Sequence, residues 1–94
     1  MLTNRSKKTV TGALLRFDRD LSRVDRISSR GFPVLKLRLA PANALRLEGG
    51  TLRPGERAVY ELVGDGGPPR PTDGRWLIDG RLGPRMMKDE FDVR

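Results

Sequence analysis

Five arginines, Arg16, Arg19, Arg23, Arg26 and Arg30, recur at steps of three and four residues, and Lys36 and Arg38 follow two apart. A guanidinium is a planar fork that donates two parallel hydrogen bonds to a phosphate. Neutralising several phosphates also releases condensed counterions, which makes such binding salt-dependent. These seven side chains are therefore candidate phosphate contacts. The wider charge distribution points the same way. Residues 1–40 carry ten Lys/Arg against three Asp, whereas residues 41–94 carry nine Lys/Arg against nine Asp/Glu. The whole net charge of +7 thus lies in the amino-terminal part, an asymmetry that points to a polyanionic partner. The competing reading is a solvated face with ordinary Arg–Asp pairing, in a chain whose Arg, Gly and Pro content fits a GC-rich coding sequence.

Other chemistry is scarce. The 94 residues include neither Cys nor His. That removes disulfides, thiolate metal sites, the commonest general base and the commonest metal ligand. Ser28-Ser29 has no base beside it in sequence, so nucleophilic catalysis is unsupported. Gly64–Gly67 is glycine-rich, but no Lys-Ser/Thr follows and no helix begins there, unlike a phosphate-binding P-loop. Asp89, Glu90 and Asp92 could approach Mg²⁺ only with a further positioned ligand and read as solvated charge. The expectation is a protein that is not an enzyme and has no cofactor or metal. Among the aromatics, Phe17 and Tyr60 read as core. Trp76, beside Arg75 and near a flexible loop, is the candidate for stacking a base, with Arg75 and Arg81 flanking it.

The elements that would position these residues are mostly strands. Pro33–Ala40 alternates Leu35, Leu37 and Leu39 with Lys36 and Arg38. Glu56–Val63 places Ala58, Tyr60 and Leu62 on one side. Arg75–Leu82 places Trp76, Ile78 and Leu82 together, opposite Asp79 and Arg81. Arg53-Pro54-Gly55-Glu56 is a Pro-Gly turn, and Gly64–Gly74 reads as a flexible loop. Pro41–Leu52 is ambiguous, with Ala42–Leu47 able to form one helical turn. Residues 1–8 read as a flexible basic arm ahead of a single domain over 9–94. Two readings fit Thr9–Arg30. In one, a strand runs through Phe17, turns at Asp18–Asp20 and continues as a loop or second strand. In the other, Leu14, Phe17, Leu21 and Val24 form the apolar stripe of an amphipathic helix with the arginines nearly opposite. Met86 and Met87 belong to a final strand or frayed end.

Thr9-Val10-Thr11-Gly12 with Leu15 and Arg19-Asp20, then Gly31-Phe32-Pro33-Val34 leading to Leu37 and Leu39-Ala40, resembles the opening of bacterial single-stranded DNA-binding proteins. Leu52–Tyr60 looks like that family's Leu-x-x-Gly-Asp turn, and Asp79-Gly80-Arg81-Leu82 like its Glu-Gly-Arg-Leu segment. The gap from Gly12 to Gly31 and the position of Trp76 depart from the family pattern. The resemblance implies an OB-fold, non-catalytic and often oligomeric, that binds single strands on basic and aromatic strand faces. It favours strand over helix for Thr9–Phe17. The expected fold is accordingly mostly β: a small five-stranded OB-like or SH3-like barrel, with room for one amphipathic helix.

The leading expectation is a cytoplasmic protein that binds nucleic acid, single-stranded DNA first, and forms a homo-oligomer to offset its thin core. No stretch approaches the roughly 18–20 apolar residues of a membrane span, and Thr9–Leu15 is too short and polar for a signal peptide. The alternative is a small phage- or plasmid-type accessory or regulatory protein acting through its strand edges and Met86/Met87. A third class, a basic amphipathic helix over Leu14–Arg30 on anionic lipid, depends on the helical reading.

Overall fold

The computed structural model describes residues 1–22, 24–30, 36–39, 42–64 and 69–91, with strand residues 25–27, 29, 30 and 36–39 described by their backbone. Eight strands follow in chain order: β1 (Leu2–Thr3), β2 (Val10–Phe17), β3 (Val24–Arg30), β4 (Lys36–Leu39), β5 (Ala44–Leu52), β6 (Arg57–Gly64), β7 (Pro71–Ile78) and β8 (Arg81–Arg85). A 3₁₀ turn at Lys88–Glu90 closes the described chain. The strands form two antiparallel sheets, β1-β6-β3 and β4-β5-β2-β7-β8. Among the described residues no ladder joins them, so the expected barrel gives way to two sheets enclosing one core.

The period-two patterns explain most of this. Along β2, Ala13, Leu15 and Phe17 point inward while Leu14 and Arg16 point outward, as a strand buried on one face requires. The strand reading of Thr9–Phe17 therefore holds. The helical alternative over Leu14–Arg30 is not formed, because β2 and β3 each find a partner strand. Non-local pairing outweighs a helical stripe that had nothing of its own to pack against. In β6, Ala58, Tyr60 and Leu62 face the core as their alternation predicts.

Gly12 sits where β2 passes closest to β5. A Cβ there would collide with the Leu47 carbonyl oxygen, so only glycine allows this backbone approach.

Three expectations are corrected. Residues 1–8 are not a detached arm. Leu2 is fully buried, β1 pairs with β6, and Leu2 also bridges to Phe91. The physical reason is Asn4, which is completely buried. Its Nδ2 donates to the Lys8 and Leu52 carbonyls at 2.8 and 2.9 Å, and its Oδ1 accepts from the Ser6 N–H and Oγ–H. Second, Ala42–Leu47 forms no helical turn, because β5 pairs with both β2 and β4. Third, Arg75–Leu82 is not one strand. Asp79 and Gly80 both have positive φ, 52° and 79°, and form the two-residue turn of a β7–β8 hairpin. Leu82 thereby leaves the Trp76 side and lies opposite Leu77, 51% exposed. The expected loop over Gly64–Gly74 is shorter than its composition predicts, since β7 begins at Pro71; positions 65–68 lie outside the described residues.

Candidate nucleic-acid interface

The five-stranded sheet turns one face to the core and one away from it. Residues directly opposite in neighbouring strands share a face, so the register determines what the outer face carries. Arg38 in β4 pairs with Arg46 in β5, Arg46 with Leu14 in β2, Leu14 with Arg75 in β7, and Arg75 with Arg85 in β8. Four arginine positions and one leucine thus form a single file across all five strands. The file on one side runs Lys36, Glu48, Gly12, Leu77 and Leu82. On the other side, Arg16 lies between Ala44 and Asp73.

The side chains of this face are held in different ways. Arg75 is exposed, and its Nε and one Nη donate to the Gly83 carbonyl at 3.1 and 3.0 Å. A neutral acceptor leaves its charge uncancelled. Gly83 is available because β8 has an extra residue where it pairs with β7, between Arg75 and Leu77, and because Pro84 is tolerated in an edge strand. Arg85 is exposed and donates from Nε to Asp73 Oδ1 at 2.8 Å. That hydrogen bond is the largest influence on the Asp73 carboxyl; with the charges of Arg85 and Arg16 and a backbone bond from Gly74 it outweighs the opposing effect of burial and holds the group below its ordinary 3.8. Arg46 is half-buried. Its Nε lies 2.6 Å from Glu48 Oε1, but the approach is out of line with the N–H, and this buried atom has no hydrogen-bond partner. The Arg16 guanidinium is exposed and makes no hydrogen bond or ion pair among the described residues.

Among the described residues the amino-terminal arginine positions are divided between the two sheets. Arg16 ends β2 on the outer face of the larger sheet. Arg19 lies in the following turn, 3.6 Å from Asp18. Arg26 and Arg30 belong to the backbone of β3, in the other sheet. Lys36 and Arg38 are on β4, and Arg23 lies outside the described residues, as does Phe32. Of the predicted contacts, the larger sheet therefore brings together Arg16, Lys36, Arg38 and Arg75, with Arg81 at the start of β8, exposed and opposite Ile78. Arg46 and Arg85 are additions from the charge-balanced half. The alternation of Leu45, Arg46 and Leu47 in β5 would have marked Arg46 as outward; β8 has no such alternation, and only the register aligns Arg46 and Arg85 with Arg75.

Trp76 is a correction. It is 1% exposed, packs in the core and donates Nε1–H to Glu90 Oε1 at 3.3 Å, so its ring offers no stacking surface. It follows Arg75 on a strand whose alternate positions face inward, and a ring of that size is the largest filler available to a thin core. Phe17 is also buried, and Tyr60 packs against the core with its phenol pushed well above the ordinary range by burial. Met86 is buried, leaving Met87, 69% exposed, as the only accessible member of that pair.

The acidic carboxy-terminal residues have structural partners. Asp89 pairs with Arg5 at 2.8 Å. Glu90 is buried and accepts N–H groups from Arg5, Trp76 and Met87. Asp92 lies outside the described residues. Among the described residues no group of three His, Cys, Asp or Glu could hold a metal ion, and no helix is long and apolar enough to cross a membrane. No family model, curated protein or solved structure matches this chain.

Proposed function

We propose that this protein binds nucleic acid without catalysis, through contacts to the phosphate backbone made by the outer face of the five-stranded sheet. One observation carries the reading: among the described residues, Arg16, Arg46, Arg75 and Arg85 share that face with the carboxylates Asp73 and Glu48. The positions of Lys36 and Arg38 on β4 extend it. Guanidiniums facing neutral acceptors or solvent keep their charge for a ligand, and phosphate is the ligand their geometry suits. With Trp76, Phe17 and Tyr60 committed to the core, no aromatic side chain among the described residues supports base stacking. The binding energy in this reading is electrostatic and insensitive to sequence.

The test is the affinity of the full chain for a labelled oligonucleotide across a salt series. A log–log slope near −0.7 per phosphate neutralised on a single strand, or −0.9 on a duplex, is expected. A salt-independent signal, or none at low salt, defeats the proposal.

A second reading, a small accessory protein acting through protein–protein contact, draws on Met87, Leu82 and Val59, which are exposed at 69%, 51% and 39%. Retention of a protein partner through high-salt washes, with no retention on heparin, would favour it.

A further inference from the structure

In the file Arg38–Arg46–Leu14–Arg75–Arg85 the register twice sets one arginine position opposite another, Arg38 with Arg46 and Arg75 with Arg85. Like charges in that relation destabilise a sheet. Arg46 adds a second feature: its buried Nε is paired with Glu48 Oε1 at 2.6 Å but makes no aligned hydrogen bond, in a protein that satisfies its other buried polar side-chain atoms among the described residues. Threonine or valine at position 46 would fit a strand better. Local choices that oppose the fold mark sites built for something else.

The shape of the file says what that is. Four inter-strand steps of about 4.8 Å make it about 19 Å long. At a stacked spacing of about 3.4 Å per phosphate, this matches about six phosphates of one strand, and fewer of an extended one. No second file of cations runs beside it: the neighbouring positions hold Lys36, Glu48, Gly12, Leu77 and Leu82 on one side and Ala44, Arg16 and Asp73 on the other, a single cation position in each. A duplex presents two phosphate lines separated by a groove of roughly 6 or 12 Å, whereas a single file fits one line.

Building on the nucleic-acid reading, we infer that one phosphodiester strand crosses the five β-strands along this file, anchored centrally by Arg46 and Arg75, and that the bound phosphates relieve a repulsion the unliganded sheet carries. Stability and binding are then opposed at the same residues. Removing a file arginine raises the melting temperature of the unliganded protein and weakens the complex.

The experiment uses the full chain with Arg46→Thr and Arg75→Thr, and Arg53→Gln and Arg57→Gln as exposed arginines away from the file. Each is titrated with fluorescein-labelled oligothymidylates of 3, 6, 9 and 12 nucleotides over a salt series, and its unfolding is followed without ligand. Each file variant is expected to lower the salt slope by about 0.7 to 1, weaken binding of the six-mer about 5- to 10-fold at low salt, and melt higher than the parent by a few degrees. The control variants should stay within about 2-fold in affinity, and affinity should level off near six nucleotides. Equal losses in the controls, or affinity rising steadily to twelve nucleotides, would overturn the track while leaving nucleic-acid binding intact. A lower melting temperature in both file variants overturns the opposition between stability and binding. Should Arg46→Thr fail to fold, Arg75→Thr carries the test by itself. Absence of binding by the parent chain defeats this inference and the proposed function together.

Discussion

Two polar clusters in this protein are built on opposite rules. Around Asn4 and Glu90, at the junction of the amino- and carboxy-terminal segments, each buried polar atom has a partner. Asn4 makes four side-chain hydrogen bonds, its backbone N–H and C=O bond to Glu56 and Gly55, and Glu90 accepts three N–H groups. On the outer face of the larger sheet, arginines oppose arginines and Arg46 Nε has no hydrogen bond. The first arrangement ties chain ends into a small core, where an unmet buried group is expensive. The second pairs Arg46 and Arg85 with Glu48 and Asp73 but leaves the charge of the exposed Arg75 against a neutral carbonyl. One cluster holds the fold together and the other is at odds with it, so mutations should separate them.

The largest effect is expected at Asn4. Asn4→Ala leaves the buried Leu52 carbonyl and the part-buried Ser6 N–H without their partner, while the Lys8 carbonyl keeps Ser6 Oγ–H, at roughly 1–3 kcal/mol for each unsatisfied buried group. A total loss of about 3 kcal/mol or more is a large share of what a domain this size has. Chemical denaturation should register it, and a loss under about 1 kcal/mol would remove the contrast between the two clusters. Next comes Glu90→Gln, which puts an amide N–H where an acceptor is needed and leaves one of the three N–H donors unmatched. A loss of about 1–2 kcal/mol is expected, with oligonucleotide affinity unchanged within 2-fold. An affinity loss of 10-fold would place Glu90 in the interface and blur the distinction.

A smaller effect is expected at Asp73, the carboxylate that holds Arg85. Asp73→Asn should tighten oligonucleotide binding about 2- to 5-fold at low salt, with the gain vanishing at high salt as screening sets in. Weaker binding would mean that the Asp73–Arg85 pair positions Arg85 for its ligand. The smallest effect is a pH dependence of the same group. The folded carboxyl is held below its ordinary 3.8, chiefly by the Arg85 hydrogen bond. Its stabilising contribution is therefore complete above the unfolded value and disappears as the pH falls through the folded one. The parent chain and Asp73→Asn should differ slightly in denaturation midpoint at pH 6, and the difference should shrink as the pH is lowered past the ordinary carboxylate range. A difference that grows on acidification contradicts this.

Where a segment's own pattern and its environment agreed, the sequence was legible. Ala58, Tyr60 and Leu62 alternate and face the core, and Pro54-Gly55 turns the chain, with the Glu56 N–H bonded to the Arg53 carbonyl at 3.0 Å. Other segments misled for identifiable reasons. Asp79-Gly80 is a strong hairpin dipeptide, but the alternation of Trp76, Ile78 and Leu82 ran through it and concealed the turn. Ala44–Leu52 contains two glycines and a helix-compatible start, so its strand character depends on pairing with β2 and β4. The polar amino-terminal residues look detached until Asn4 is seen bonded across 48 positions to Leu52. Trp76 beside Arg75 has the composition of a stacking site, but adjacent residues on a strand face opposite ways.

Composition and alternation, which are local properties, were enough to establish a mostly β chain, cationic overall and without thiol or imidazole chemistry. They placed the positive excess in the first 40 residues. Which cations become neighbours was decided only when the strands paired. Register is non-local, and a shift of one residue turns every side chain to the other face. In this register Arg46, Arg75 and Arg85, from the half of the chain with no net charge, align with Arg38 from the basic half.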